Sequence, residues 1–169
     1  MTGINGADIL RWEQDARQSG SLIQASQLLA RWNLDQVFDR SGQSGGLGTS
    51  SLLRAFQACL ILAPHGEEPS DRALAVANQI SVGPLVLRFE GEGQLIGRRP
   101  LLQFSFTSVM LKLGAVTLLQ RTLARPTAKS MPFFALIRIN HNDGTLAARG
   151  RGGGLALWKR DASSNRHVG

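Results

Sequence analysis

The sequence TLAARGRGGGLALWKR, residues 145–160, decides between two architectures for this chain. In one interpretation, residues 149–154 form a short RGG-like basic tract that could contact nucleic acid. In the other, they form a turn or bulge between two strands, and Leu155, Leu157 and Trp158 complete a β-sheet. The tract occurs once, and strand-like sequence flanks it on both sides, unlike a disordered RGG segment with its repeats. We therefore favour the hairpin.

The residues before this stretch also indicate a hairpin. Residues 140–144 read NHNDG, and Asn and Asp tolerate the left-handed backbone of a tight turn that Gly adopts freely. Residues 133–139 before the turn are rich in aromatic and β-branched side chains, which favours a strand. The C-terminal part of the chain is thus predicted to be a run of antiparallel strands.

Alternating apolar residues predict further strands towards the N-terminus. We expect strands over the ranges 31–38, 58–63, 73–81, 85–90, 95–96, 102–107, 109–113 and 116–123. Gly91 and Gly93 are expected to bracket a turn at Glu92. Together with the C-terminal hairpins this gives about eight to ten short strands, antiparallel because long helical crossovers are absent.

Residues 1–30 are predicted to be a helical segment. Ile9, Leu10, Trp12 and Ala16 share one face of a helix over 7–18, and a capping-box pattern at Ser21 predicts a second helix over 22–29. Three non-strand segments are also expected: a glycine- and serine-rich loop, a single helical turn, and a polar flexible tail, at 41–51, 52–56 and 161–169.

A single open sheet with this many strands would expose two edges, and closing the sheet removes them. We therefore predict a mainly β fold, a closed or nearly closed antiparallel β-barrel over residues 31–160 with the helical segment before it. A barrel of about eight strands is wide enough to hold its own side chains or one small apolar ligand.

Composition and charge restrict the class of protein. Of the 169 residues, 43% are hydrophobic and 18% are charged, which is typical of a globular chain. No apolar run reaches the roughly 18 residues that a membrane-spanning helix needs, and three acidic residues among the first thirty argue against a signal or transit peptide. We expect a soluble or peripheral protein.

The net charge of +7 is unevenly distributed: residues 1–92 carry −3 and residues 93–169 carry +10. A basic half of this kind suits an anionic membrane surface or an acidic partner protein, and it can equally be an ordinary solvated face. Nucleic acid is not expected, since no aromatic string is interleaved with the basic residues. The candidate basic residues are Arg98, Arg99, Lys112, Arg121, Arg125, Lys129, Arg138, Lys159 and Arg160.

No catalytic or metal-binding constellation is recognisable. The one cysteine, Cys59, lies in an apolar run and is expected to be a small buried hydrophobe. The three histidines lack metal-ligand spacing, and no nucleophile motif or phosphate-binding loop is present. We predict no enzyme activity, no metal and no cofactor.

Several motifs together resemble the plastid-lipid-associated proteins, or fibrillins. Residues 28–34, LLARWNL, are similar to the L-x-G-x-W-x-L that opens the fibrillin barrel, and residues 149–157 are similar to the R-G-x-x-G-x-L-x-V of its last hairpin. Asn78-Gln79 and the strand 85–89 fall where that family has its N-Q and following strand. Ala30 departs from the family's preferred glycine, and Ala147 stands near the position of a common arginine.

The resemblance implies a lipocalin-like barrel from a plastid or a photosynthetic bacterium. It implies a fibrillin-like function, in which the protein binds or carries a small apolar lipid, carotenoid or quinone at thylakoid membranes. It places the chain in the plastid stroma or the bacterial cytoplasm. Two alternatives remain open: a lipocalin-like bilin lyase or chromophore-presenting protein, and a structural assembly factor of a photosynthetic complex.

The predicted ligand site consists of side chains expected to line the barrel. For each aromatic among them, the alternative is that it fills a dry core. Arg149 is expected either to neutralise a polar group of the ligand or to pin the turn, for example by pairing with Asp143. The candidate ligand-binding residues are Trp32, Leu34, Leu87, Phe89, Phe104, Phe106, Phe134, Arg149 and Trp158.

Overall fold

The structure, a computed structural model, describes residues 3–44, 57–66 and 72–162. The helical turn expected at 52–56, most of the 41–51 loop and residues 163–169 of the tail lie outside this part of the chain. Two helices, α1 (Gly6–Ser19) and α2 (Ala25–Leu28), precede the strands. The strands are β1 (Ala30–Phe38), β2 (Cys59–Pro64), β3 (Ala73–Val82), β4 (Leu85–Ile96), β5 (Leu101–Leu113), β6 (Val116–Thr122), β7 (Phe133–Asn140), β8 (Thr145–Gly150) and β9 (Leu155–Arg160).

The first predicted helix is confirmed, and it begins and ends with recognisable caps. The Asn5 side chain accepts a hydrogen bond from the Asp8 backbone N–H, and the Asp8 carboxylate accepts one from the Asn5 N–H. The helix ends where Gly20 takes up a φ of +80°. The second helix is shorter than expected, because Leu22 has a positive φ of +51° and only residues 25–28 are helical.

All strand pairs are antiparallel, and the sheet closes in a ring. The order β4-β3-β2-β1-β9-β8-β7-β5 is completed by pairing between β4 and β5, so eight strands form the ring. Strand β6 pairs with β5 outside it. The predicted mainly β, antiparallel architecture is therefore confirmed, with nine described strands.

The turn expected at Gly91-Glu92-Gly93 is wrong, because β4 runs straight through it as one strand of twelve residues. These glycines have no positive φ; they permit close approach of neighbouring chains. A Cβ on Gly91 would lie 1.9 Å from the Ser105 carbonyl oxygen, and one on Gly93 would lie 2.7 Å from a methyl group of Val76. At these two glycines, β4 packs closely against its neighbouring strands β3 and β5.

The hairpin predicted from residues 145–160 is confirmed. Strands β8 and β9 pair from Thr145–Lys159 to Arg149–Leu155, and Gly150 donates to the Gly154 carbonyl across the turn. Gly153 has a φ of +92°, which side-chain-bearing residues rarely adopt. The glycines therefore serve the turn.

Two apolar cores lie on opposite sides of the sheet. The larger lies inside the ring and includes the short segment 23–28, which covers one end of it. The smaller lies outside the ring, where Ile9 of α1 packs against Ile137, Leu155 and Leu157. Helix α1 therefore shields the outer face of β7, β8 and β9.

The ring does not use the full length of its longest strands. Strand β2 pairs with β3 only as far as Gln79, and β7 pairs with β5 only over Leu101–Gln103. Beyond those points β3, β4, β5 and β6 continue as a four-stranded extension, which we call the ribbon (residues 80–89 and 109–122). The ribbon projects from the end of the ring opposite the segment 23–28.

Candidate functional site

Trp32 is buried at the covered end of the ring. It is 1% exposed there, and its indole N–H donates to the Leu28 carbonyl oxygen at 2.8 Å. The Arg160 guanidinium lies over the Trp32 indole, 5.6 Å from its centroid. The structure thus places Trp32, expected as a ligand contact, in the packed part of the core.

An apolar cavity of about 310 Å³ occupies the other end of the ring, next to the ribbon. It is at the lower end of the size range of small-molecule sites, and at roughly 30 Å³ per non-hydrogen atom it holds about ten such atoms. Its lining comes from six of the eight ring strands (β1, β2, β3, β5, β7 and β9) and from the residue before β2: Leu34, Val37, Ala58, Cys59, Leu60, Asn78, Ile80, Phe104, Phe106, Phe134, Ala156 and Trp158.

Four rings line this cavity as a continuous belt. Phe104 contacts Phe106 on the same strand at 5.3 Å between centroids and stacks on Phe134 of β7 at the same distance. Phe134 meets Trp158 of β9 edge to face at 5.2 Å. Such offset and edge-on contacts are the favoured aromatic geometries, and they hold the wall of the cavity in a defined shape.

Of the nine side chains predicted to bind a ligand, the structure brings five together at the cavity: Leu34, Phe104, Phe106, Phe134 and Trp158. Phe89 contacts the belt from outside the cavity, 5.5 Å from Phe106. Leu87 lies further out, on the ribbon, where it pairs with Ile80 and Leu111.

Asn78 is the one amide side chain in the cavity wall, and it was missing from the predicted site. Its side chain forms no hydrogen bond with another described residue. An amide offers two donors and one acceptor oxygen, so a bound molecule can satisfy it with a carbonyl or hydroxyl group. The signal was present in the sequence, because Leu74, Val76, Asn78 and Ile80 alternate on one strand face and only Asn78 is polar.

Arg149 lies on the outer face of the ring, away from the cavity. Its Nε donates to Glu13 Oε1 at 2.7 Å and its second terminal nitrogen donates to Glu13 Oε2 at 2.6 Å, and it also donates to the Gly153 carbonyl. The partner is thus Glu13 of α1 rather than the expected Asp143. The hydrogen bonds from Arg149 lower the pKa of the Glu13 carboxyl, against the opposing effect of its partial burial.

The other arginines at this hairpin are also engaged within the chain. Arg151 donates to the backbone carbonyls of Met131 and Lys129, and Arg40 donates to the Gly152 carbonyl at 3.0 Å. The guanidinium groups near the RGRGGG turn therefore bind backbone and α1.

A larger depression of about 530 Å³ lies on the outer face of β2, β3 and β4. Its charged side chains already pair with one another: Arg88 with Glu90 at 2.6 Å, and Glu92 with both His65 and Arg125. The apolar cavity, by contrast, contains the amide of Asn78, which makes no side-chain hydrogen bond to a described residue. We therefore take the cavity as the candidate site.

A reactive cysteine, a metal site and a membrane-spanning helix were the other features to consider. Cys59 is 2% exposed, and its burial raises the pKa of the thiol, which disfavours the reactive thiolate. Within the described residues, no three His, Cys, Asp or Glu side chains cluster as they would around a metal ion. No helix in the same part of the chain is long and apolar enough to cross a membrane.

Comparisons with protein-family models, with curated proteins and with solved structures give no match to this chain.

Proposed function

We propose that this protein binds a small, largely apolar molecule carrying one polar group, inside the end of its ring next to the ribbon. The observation that carries the proposal is an apolar cavity lined by four aromatic rings and one amide, that of Asn78, which makes no side-chain hydrogen bond to a described residue. Such a combination of an apolar wall and a single orienting polar group is characteristic of small-molecule sites. We further propose that the ring is a lipocalin-like barrel of the fibrillin kind.

The chemistry of the cavity narrows the class of ligand. A space for about ten non-hydrogen atoms accepts a substituted ring, and a longer chain would have to extend from the cavity along the ribbon. The Asn78 amide would donate to a ring carbonyl or hydroxyl. A prenylated quinone or chromanol has this combination of parts, in line with the plastid lipids that the resemblance implies.

The supporting resemblance comes from residues that have structural roles here. Residues 28–34 contain Trp32 at the covered end of the ring, residues 149–157 form the last hairpin, and Asn78 is part of the N-Q motif. We propose on this basis that the protein acts in a photosynthetic bacterium or plastid, at or near thylakoid membranes.

The experiment is a titration with decyl-plastoquinone, followed by quenching of tryptophan fluorescence, in the wild type and two variants. Asn78→Leu should weaken binding by about tenfold, the equivalent of one hydrogen bond of roughly 1.4 kcal/mol. Ala156→Phe should abolish it by filling the cavity. Asn33→Leu, at an exposed asparagine of β1, is the matched control and should bind as the wild type does.

Saturable quenching that survives Ala156→Phe would contradict the proposed site. Absence of quenching in the wild type, together with a native mass spectrum free of any bound small molecule, would contradict the proposed function.

A further inference from the structure

Most of the large apolar side chains that are exposed in the described part of the chain lie on the ribbon. Six of its side chains are large, apolar and at least 39% exposed. They come from both hairpin tips and from the edge strand β6, and thus from one contiguous region: Val82, Leu85, Leu113, Val116, Leu118 and Leu119. Exposed apolar patches of this kind in soluble folds mark interaction sites.

The strand register gives this surface a definite face. Val82, Leu85, Leu113 and Val116 are directly paired across the four strands, and so their side chains lie on one side of the ribbon. The neighbouring paired row on the same side consists of Ile80, Leu87, Leu111 and Leu119. Ile80 also lines the cavity, so the apolar face runs without interruption from the hairpin tips to the candidate site.

Charge on the ribbon has one sign. Residues 80–89 and 109–122 contain Arg88, Lys112 and Arg121 and no carboxylate. Arg88 pairs with Glu90, just outside the ribbon, whereas Lys112 and Arg121 form no ion pair with any described residue. Lys112 is on the opposite side from the apolar rows, and Arg121 is on β6 at the base of that surface.

We infer that the ribbon docks on the surface of an anionic lipid bilayer, with its hairpin tips inserted among the acyl chains and Lys112 and Arg121 among the headgroups. A bilayer surface has an apolar interior that would cover the exposed apolar rows of the ribbon. Its anionic headgroups would neutralise Lys112 and Arg121. Lysine and arginine suit the boundary between acyl chains and headgroups, because their long apolar stems lie along apolar surface while their charged ends reach the headgroups. Because the apolar face leads to the cavity, the docked ribbon gives a lipid a path from bilayer to ring; that part rests on the proposed function.

A second copy of the chain is a poorer occupant. Pairing two β6 edges would extend the sheet sideways and leave both apolar rows exposed on its face. Stacking the two apolar faces would bring the Arg121 side chains of both copies together without a ribbon carboxylate to neutralise them. Charge complementarity thus favours the bilayer.

The other basic residues do not form a common surface with these two. Arg98 and Arg99 lie at the β4–β5 turn, at the far end of β4, while Lys159 pairs with Asp35 at 3.3 Å and Arg125 pairs with Glu92. Arg138 lies over the Trp12 ring, 4.7 Å from its centroid. The excess positive charge of the C-terminal half is thus spread over several sides.

The test is flotation of the full chain with vesicles of phosphatidylcholine containing phosphatidylglycerol, and with vesicles of phosphatidylcholine alone. The wild type should float with the anionic vesicles, less so as salt is added. Lys112→Gln and Arg121→Gln should each lower partitioning about fivefold, since one basic residue near such a surface is worth about 1 kcal/mol. Arg98→Gln and Arg99→Gln are the charge controls and should change it little.

The apolar contribution has a control on the same strand. Leu85 and Ile96 lie at opposite ends of β4 and are 39% and 41% exposed. Leu85→Ser, combined with Leu113→Ser, should abolish flotation, and Ile96→Ser should not. Circular dichroism of each variant checks that the fold is retained.

Equal loss from the double variant Leu85→Ser, Leu113→Ser and from Ile96→Ser, or equal flotation with both kinds of vesicle, would overturn the inference. Light scattering that shows a wild-type dimer, made monomeric by the ribbon variants while flotation persists, would assign the surface to a second copy and overturn it too. The vesicles carry no cavity ligand, so docking is measured independently of quinone binding. A failed quinone titration with intact flotation would reject the proposed function alone.

Discussion

Breaking the ion pair between Glu13 and Arg149 should loosen α1 from the β8–β9 hairpin. The two side chains are 12% and 18% exposed and form two charge-assisted hydrogen bonds of 2.6 and 2.7 Å. An exposed pair is worth about 0–1 kcal/mol and breaking a fully buried one costs about 3–5 kcal/mol. For this intermediate burial we expect Arg149→Met to lower the free energy of unfolding by about 2 kcal/mol.

The effect should depend on pH in a defined direction. Arg149 lowers the pKa of the Glu13 carboxyl in the folded chain below its usual value of 4.5. A lowered folded-state pKa stabilises the fold above the unfolded-state value, and that contribution is lost as the pH falls through the folded-state value. The gap between wild type and Arg149→Met should therefore be full at pH 7 and shrink below about pH 4.5.

Urea denaturation followed by circular dichroism, at pH 7 and in steps into acid, measures this gap. Arg17→Met is the matched control: Arg17 also pairs with Glu13, at 3.3 Å, but is 59% exposed, so its loss should cost less than about 0.5 kcal/mol. Equal costs for the two variants, or a pH-independent gap, would refute this account of the pair. Quinone binding should be unchanged in Arg149→Met; a selective loss of binding would make Arg149 a ligand residue.

Three further predictions concern the fold. Gly91→Ala should destabilise the protein by about 3 kcal/mol in the same denaturation assay, because the new methyl group would meet the Ser105 carbonyl oxygen. Gly152→Ala is the control and should be nearly neutral, since Gly152 has open space around it. Equal effects of the two substitutions would contradict the close packing of β4. Cys59 should react with a thiol reagent at least about a hundredfold more slowly in the folded chain than in urea, and comparable rates would show that it is accessible. Asn5→Ala should cost about 1 kcal/mol through loss of the α1 cap, and a change below about 0.3 kcal/mol would mean that the cap is not formed in solution.

Sequence patterns were most informative where the local chemistry has one solution. The NHNDG and RGRGGG segments both form turns, since Gly144 and Gly153 have positive φ values that few other residues adopt. The spacing of apolar residues on β5 also indicates an irregularity in its pairing. Leu102, Phe104 and Phe106 alternate, but the next apolar residue is Val109, and the register with β4 shifts at that point. One extra residue in one strand reverses which side chains face inward.

The same patterns failed where a residue's role depends on a distant part of the chain. Gly91 looks like a turn residue, and only the close approach of β5 shows that it lies inside a continuous strand. The partner of Arg149 lies 136 positions away on α1, beyond the reach of any local pattern that suggested Asp143.

The sequence by itself determined where most strand segments and the C-terminal turns lie and which of their side chains share a face, because alternation and backbone preference are properties of a few neighbouring residues. Only the tertiary structure decided which apolar faces are packed and which stay open. Trp32 and Phe104 lie on similar alternating strands, yet the segment 23–28 covers the end of the ring around Trp32 and leaves a cavity beside Phe104. The physical reason is that strand pairing stops at different points along β3 and β5, which separates a closed ring from an exposed ribbon.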